Sequence, residues 1–302
     1  MDIRVLKYFL AVAKEESITK AAEEMHITQP TLSRQIMELE NELGIKLFNR
    51  GGRNKKVTLT NEGLILRKRA EEILALTEKT KFELSQPEEI ISGDIYIGSG
   101  ETDAVRIIAK TAKSIQNKYP HIRYNLFSGN ADDVTERLDN GLLDFGILIE
   151  PADIEKYNYI RLPVFDTWGL LMPKNSPLSV KNCITPEDLK DLPLIVSRQS
   201  FVQNELSGWC GCDFNIFNIV ATYNLIYNAS VLVSQGFGYA LCLDKLINIT
   251  GNSPLCFKPL NPALKSNLNF VWKKNQVFSN AGKKFIEALK KELLKNETSH
   301  QN

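Results

Sequence analysis

The stretch Thr28-Gln29-Pro30-Thr31-Leu32-Ser33-Arg34 gathers short hydrogen-bonding side chains and one long cation around a proline. These are groups for recognition rather than bond-making. Gln can pair with the edge of adenine and Arg with that of guanine, while Thr and Ser hydroxyls can hold phosphate oxygens. A second group follows. Lys46, Arg50, Arg53, Lys55 and Lys56 lie close together with no acid among them, and Arg67, Lys68 and Arg69 come next with Glu62 nearby. On a chain of formal net charge +1, such a cluster reads as a local phosphate footprint. By itself it is equally a solvated basic turn.

The elements around the first group give it a direction. Thr28 is a good N-cap, and Pro30 falls in the first turn, where a missing N–H costs little. The spacing predicts a helix to about Leu43, ended by Gly44, with Leu32, Ile36, Leu39 and Leu43 facing inward and Pro30 and Arg34 opposite. Its exposed first turn, with free N–H groups and the positive end of the helix dipole, favours anions. Upstream, Val5, Leu6, Phe9, Leu10 and Ala13 mark one helix. Ser17 caps another, with the stripe Ile18, Ala21, Ala22 and Met25. Three short helices with tight breaks fit a helix-turn-helix. Gly51-Gly52 followed by alternating Val57 and Leu59 predicts a two-stranded wing. From Asn61 to about Gln86, Leu66, Ala70, Ile73, Thr77, Thr80 and Leu84 form a heptad seam suited to pairing two copies; the alternative is a helix lying on its own domain.

From Asp94 onward strand and helix patterns alternate, which argues for parallel α/β architecture. The chain has 302 residues, 43% hydrophobic and 24% charged, enough for two or three domains. The N-terminus lacks the pattern of a signal peptide, and no apolar run approaches the roughly 20 residues a membrane span needs. The expectation is a cytoplasmic protein with no membrane partner. Of the five cysteines only Cys210 and Cys212 are close, and the three histidines lie far from them, so neither a metal site nor a nucleophile–base set is expected. "GSGETD" follows a strand as a dinucleotide fingerprint would, but Asp103 stands where a third glycine is needed. No catalytic residues and no cofactor are expected.

"FLAVAKEESITKAAEEMHITQPTLSRQIMELENELGIKLFNR" followed by "VTLTNEG" resembles the winged helix-turn-helix of LysR-type transcriptional regulators. The Ala-Ala pair of the second helix, "QPTLSRQI", "LENELGIKLF" and Thr60-x-x-Gly63 fall in that family's order and spacing. "YPHIRYNLFSGN", "GLLDFGILIEP" and "SQGFGYALC" resemble its effector domain. Cys242-Leu243-Asp244 departs from it, where the family often has a proline. The resemblance implies an α/β protein with an N-terminal all-α winged helix-turn-helix (1–60), a long linker and dimerisation helix (61–88), and a two-lobed effector domain like periplasmic binding proteins (93–302). Lobe I would comprise about 93–163 and 267–302, and lobe II about 164–266.

The DNA contacts expected are Thr28, Gln29, Pro30, Thr31, Ser33, Arg34, Arg50, Arg53, Lys55 and Lys56. Effector contacts placed by position in such a domain are Ser99, Gly100, Glu101, Thr102, Ser128, Gly129, Leu148 and Glu150 from lobe I. Lobe II would add Ser197, Arg198, Gln199, Ser200 and Phe201. Helix capping is the plain alternative for Ser99 and Thr102, and a surface ion pair for Arg198. Glu101 disfavours an anionic effector, whereas helix N–H groups and Arg198 favour one; hydroxyl or amine groups on the effector fit. The partners implied are double-stranded DNA, a small-molecule effector of unknown identity and further copies of the chain, as a homodimer or homotetramer, with RNA polymerase as a further candidate. A solute-binding module without a DNA role would account for the second half alone.

Overall fold

The structure, a computed structural model, describes residues 1–50, 56–84, 91–199 and 205–299. It divides into two compact units, Met1–Gln86 and Pro87–Asn302.

In the first unit, helices α1 (Ile3–Glu15), α2 (Ile18–Glu24) and α3 (Gln29–Leu43) each start on a side-chain cap. Asp2, Ser17 and Thr28 accept the backbone N–H groups of Arg4, Lys20 and Thr31, donors that a helix start otherwise leaves without partners. Leu6, Phe9, Val12, Ala21, Ala22, Leu32, Ile36 and Leu39 pack into one core with Leu47 and Phe48. The apolar stripe of α3 stops sooner than its spacing predicts. Leu43 is exposed, and Glu40, about one turn earlier, is buried. The Glu40 carboxylate accepts the backbone N–H of Leu47 at 2.9 Å and of Phe48 at 3.3 Å. Those bonds offset the cost of burying it and fix where the wing begins.

Strands β1 (Phe48–Arg50) and β2 (Val57–Leu59) pair antiparallel as that wing. Helix α4 (Asn61–Leu84) follows. Thr60 Oγ1 accepts the N–H of Gly63 at 3.0 Å and donates to the carbonyl of Lys46 at 2.8 Å. A Cβ on Gly63 would lie 2.2 Å from the Leu47 carbonyl oxygen, so only glycine allows this approach. The two fixed letters of Thr60-x-x-Gly63 therefore dock α4 on the wing. The expected heptad seam splits. Ala70 is buried and Leu66 half-buried against the helix-turn-helix core, while Ile73, Thr80 and Leu84 of the seam stay exposed, as do Ile65 and Leu76 outside it.

The second unit is built on one sheet in the order β4-β3-β5-β11-β6-β9-β7-β8, with β10 (Leu255–Pro259) also paired to β6. Lobe I holds β3 (Gly93–Ser99), β4 (Ile122–Ser128) and β5 (Phe145–Ile149), with β3 parallel to both neighbours. Helix α5 (Val105–Gln116) and the C-terminal helix α9 (Asn280–Ser299) cover one face, around Phe145, Phe270 and Phe285. Helix α6 (Ala131–Asp139) covers the other with Val134 and Leu138. Lobe II holds β7 (Leu194–Ser197), β8 (Ile219–Tyr223) and β9 (Tyr239–Leu243), with β7 parallel to both neighbours. Helices α7 (Glu205–Cys210) and α8 (Ile226–Ser234) pack on opposite faces of it. The Gly236-x-Gly238-x-Ala240 turn leads into β9, where a Cβ on Gly238 would lie 2.5 Å from the Pro193 carbonyl oxygen.

Two strands run through both lobes, β6 (Tyr157–Pro173) and β11 (Lys265–Lys273). Their antiparallel ladder shifts register between Asn267 and Asn269. Pro163, which has no N–H to give a ladder, falls in that irregularity.

Candidate functional site

On the first unit, Thr28, Gln29, Pro30, Thr31 and Arg34 are exposed and Ser33 is half-buried, while Leu32, Ile36 and Leu39 of the same helix are within 2% of fully buried. Thr28 and Thr31 share a hydroxyl–hydroxyl bond of 2.8 Å. Arg34 lies 3.7 Å from Glu38 on the outer side of α3. The first turn of α3 therefore presents hydrogen-bonding groups and one cation outward from a fixed base.

Among the wing cations, Lys56 is exposed and bonds Glu16 at 2.5 Å, and Lys46 lies 3.4 Å from Glu40. Arg53 and Lys55 lie outside the described residues, as does the side chain of Arg50. Arg67 and Arg69 are paired along α4 with Glu71 at 3.2 Å and Glu72 at 2.7 Å. Helical spacing puts these acids beside them, so that basic run is partly neutralised.

In the second unit the strand order β4-β3-β5 of lobe I recurs as β8-β7-β9 in lobe II. Each order reverses direction beside its first strand, where open α/β sheets form a crevice at the carboxyl ends. The two crevices meet in one cavity of about 70 Å³, room for a few waters or a compact solute. Lobe I lines it with Gly100, Glu101, Gly129, Asn130, Ile149 and Glu150, and lobe II with Ser197, Gln199, Tyr223, Asn224, Ile226, Leu243 and Leu246. Trp168 of β6 and Glu205 of α7 complete the wall.

Of the expected effector contacts, Gly100, Glu101, Gly129, Glu150, Ser197 and Gln199 therefore meet in the cleft. Ser99, Thr102 and Ser128 line an adjoining groove that Lys245 and Leu246 of lobe II also border and that shares Gly100, Glu101 and Leu246 with the cavity. Thr102 Oγ1 accepts the N–H of Ala104 at 3.1 Å, and α5 begins later than "ETDAV" suggests. Leu148 is a correction. It is buried with Val134, Leu138 and Tyr157 on the far face of β5; alternation along the strand turns Ile149 to the cleft instead. Arg198 is exposed and outside the cavity wall. Ser200 and Phe201 lie outside the described residues. Asn130 was within reach of sequence reading, since it opens a capping box with Asp133. Trp168 and Glu205 approach from elements that do not end a parallel strand, and no local pattern marks them.

Among the described residues, Gln199 and Glu101 each bond across the cleft. Gln199 Oε1 accepts the Ala131 N–H at the start of α6 at 3.0 Å. Glu101 Oε2 accepts the Ile226 N–H at the start of α8, whose own N-cap, Leu225, makes no side-chain cap bond. Burial raises the Glu101 carboxyl above its ordinary range, against the lowering effect of the Ile226 bond. Burial raises Glu205 too; it accepts from Ser266 Oγ at 2.9 Å, which in turn accepts from Trp168 Nε1 at 3.0 Å. Burial also acts on Glu150, but bonds from Asn269 at 2.8 Å, Asn267 at 3.0 Å and Arg161 at 2.6 Å outweigh it and hold the carboxyl low.

A helix-turn-helix with an outward first turn and a two-lobed domain with a cleft between its lobes define a one-chain regulator class, in which one unit reads DNA and the other receives a small molecule. The comparisons place the chain within that class. Residues 3–64 match the bacterial regulatory helix-turn-helix protein model of the lysR family, and residues 89–294 match the LysR substrate binding domain. The chain belongs to the LysR family of transcriptional regulators. It is 33% identical over 201 residues to the HTH-type transcriptional regulator BsdA of Bacillus subtilis (strain 168), covering 66% of this chain and 67% of that protein. It is 30% identical over 245 residues to a probable RuBisCO transcriptional regulator of Porphyra purpurea, covering 79% and 76%. The fold matches full-length CbnR complexed with its target DNA at a TM-score of 0.74 and 18% identity, over 97% of this chain and 100% of that one. None of the described helices is long and apolar enough to cross a membrane.

Proposed function

We propose that this regulator reads an inverted DNA repeat through α3 and is switched by a small-molecule effector held between its lobes. Thr28, Gln29, Pro30, Thr31, Ser33 and Arg34 enter the major groove. Arg50, Arg53, Lys55 and Lys56 of the wing contact phosphate. The domain division 1–60, 61–88 and 93–302 follows these roles. Two copies pair through α4, whose exposed Ile65, Ile73, Leu76 and Leu84 are otherwise a solvent-facing apolar side on a helix. Pairing sets two recognition helices on two half-sites, and two pairs make a tetramer.

The effector acts by binding one relative arrangement of the copies more tightly than another. Gly100, Glu101, Gly129, Glu150, Ser197 and Gln199 belong to its site. Ser99, Thr102, Ser128, Arg198, Ser200 and Phe201 stand next to it in the chain. The regulator works in the cytoplasm, without an enzymatic step, and RNA polymerase is the partner through which it acts.

The observation that carries this reading is the outward first turn of α3 on a buried Leu32–Ile36–Leu39 base. The test is fluorescence anisotropy with duplex DNA flanking the gene. Salt-sensitive binding to one inverted repeat, weakened by Arg34→Ala, is expected. Equal affinity of parent and Arg34→Ala for that repeat would rule out the α3 assignment.

A further inference from the structure

The cleft lining is unbalanced in charge. Glu101, Glu150 and Glu205 reach the cavity wall, and among the described residues no Lys, Arg or His does. The residues between Gln199 and Glu205 in the chain, Ser200-Phe201-Val202-Gln203-Asn204, lie outside the described ones and carry no ionisable side chain. Arg198 is exposed and apart from the wall. The nearby cations already have partners: Arg161 bonds Glu150, Arg106 bonds Asp103, and Lys245 lies 3.6 Å from Asp244.

The groups that would draw an anion are also occupied. The first N–H of α8 is taken by the chain's own Glu101 carboxylate, and that of α6 by the Gln199 side chain. An incoming carboxylate would have to displace these bonds and then sit beside Glu101 and Glu205, with Glu150 the one acid of the three that a cation, Arg161, already compensates.

A cation meets the opposite conditions. Glu150 and Glu205 are both anchored on one short stretch of β11, by Asn267 and Asn269 and by Ser266. The Glu205 partners, the Ser266 hydroxyl and the Trp168 indole N–H, are neutral donors that leave its charge uncompensated. Trp168 and Tyr223 add aromatic wall, which suits an ammonium group.

We propose that the effector is a compact cation, a primary amine whose ammonium sits against Glu205, with Glu150, whose charge is shared with Arg161, as a secondary partner. This rests on the cleft being the effector site, as argued under Proposed function. Binding sets an opposite charge against a half-buried carboxylate, so the burial cost that Glu205 bears is offset. The affinity falls as pH drops and the Glu205 carboxylate takes up a proton.

The test is calorimetric titration of the full chain, at fixed ionic strength, with four solutes of one chain length: 1,4-diaminobutane, 4-aminobutan-1-ol, 1,4-butanediol and succinate. Both amines are expected to bind more tightly than the diol, with succinate weakest. Glu205→Gln, which keeps size and the Ser266 bond, should weaken the amines about tenfold, as loss of one partly buried charge partner does. Glu150→Gln gives a second reading should that variant fail to fold. The proposal is overturned by tighter binding of succinate than of either amine, by no binding of either amine, or by amine affinity unchanged in both variants. The anisotropy measurement on parent chain and DNA is run alongside. Intact DNA binding with failed amine binding removes this inference alone, whereas loss of specific DNA binding by the parent removes the reading beneath it.

Discussion

Glu101 of lobe I caps a helix of lobe II: its carboxylate accepts the Ile226 N–H that Leu225, at the N-cap of α8, has no side-chain oxygen to take. One side chain thus serves both a helix start and, with the Gln199–Ala131 bond, the closure of the cleft. Glu101→Ala should cost about 1 kcal/mol, the usual scale for a lost cap, and should open the cleft. Hydrogen exchange checks it: the amide of Ile226 should exchange faster in the variant while the amides of β3 and β7 keep their protection. Unchanged protection at Ile226 would show that water caps α8 equally well.

Gly63 offers a sharper stability test. A methyl group there meets the backbone carbonyl of Leu47, which no side-chain rotation can move aside. Gly63→Ala should destabilise the N-terminal unit by about 1–3 kcal/mol, the range for forced overpacking, although alanine is the better helix former. Urea unfolding followed by circular dichroism reads the sign directly, because propensity alone predicts a gain.

Arg34 and Lys56 separate two kinds of DNA contact. Arg34→Ala should cost about 1–3 kcal/mol on the cognate repeat and little on unrelated duplex if it reads a base. Lys56→Ala should weaken all duplexes alike and lower the salt slope by about 1. In the free protein Lys56 is held by Glu16, so Glu16→Gln should strengthen binding to every sequence by freeing that cation. Anisotropy titrations at several salt concentrations distinguish the three variants.

Much of the N-terminal unit was legible because its signals are local. Thr28, Pro30 and Gly44 each mark a helix end by their own chemistry, and Leu32, Ile36 and Leu39 mark its inner face. Leu43 misled, since the three-and-four spacing continues to it while the buried position belongs to Glu40, whose partners Leu47 and Phe48 are set by the wing. The α4 seam was half legible: Leu66 and Ala70 show the right period but are spent on the same chain. β6 gave no strand signal, because it leaves one core, crosses an exposed stretch at Pro163–Phe165 and enters another that buries Trp168 to Met172 without alternation. The cleft was predicted from strand ends, so Glu101, Glu150 and Gln199 were found, while Trp168 and Glu205, which reach it from a through-strand and a helix, were not.

Asp166 gives the chain a pH dependence with a definite sign. It is 2% exposed on β6, opposite Ser266 of β11, and its Oδ2 has no hydrogen-bond partner among the described residues. Burial pushes its carboxyl up to about 6; Asp244 and Asp103 push the same way, against the Thr102 hydroxyl and Lys245. The unfolded chain releases this proton near the ordinary aspartate value of about 3.9. Between the two values the native state binds more protons than the unfolded one, so stability falls as pH rises. The contribution is fully present below about pH 4 and lost above the native value, on the order of 3 kcal/mol across the window. Asp166→Asn, which cannot ionise, should therefore unfold at higher urea than the parent at about pH 7.5 and show no such advantage at about pH 4. Glu101 and Glu205 titrate in the same direction and Glu150 in the opposite one, so the quantity to follow is the difference between variant and parent at each pH. A difference that stays constant with pH would mean that Asp166 is ionised in the native state throughout, with a partner for Oδ2 such as a bound water.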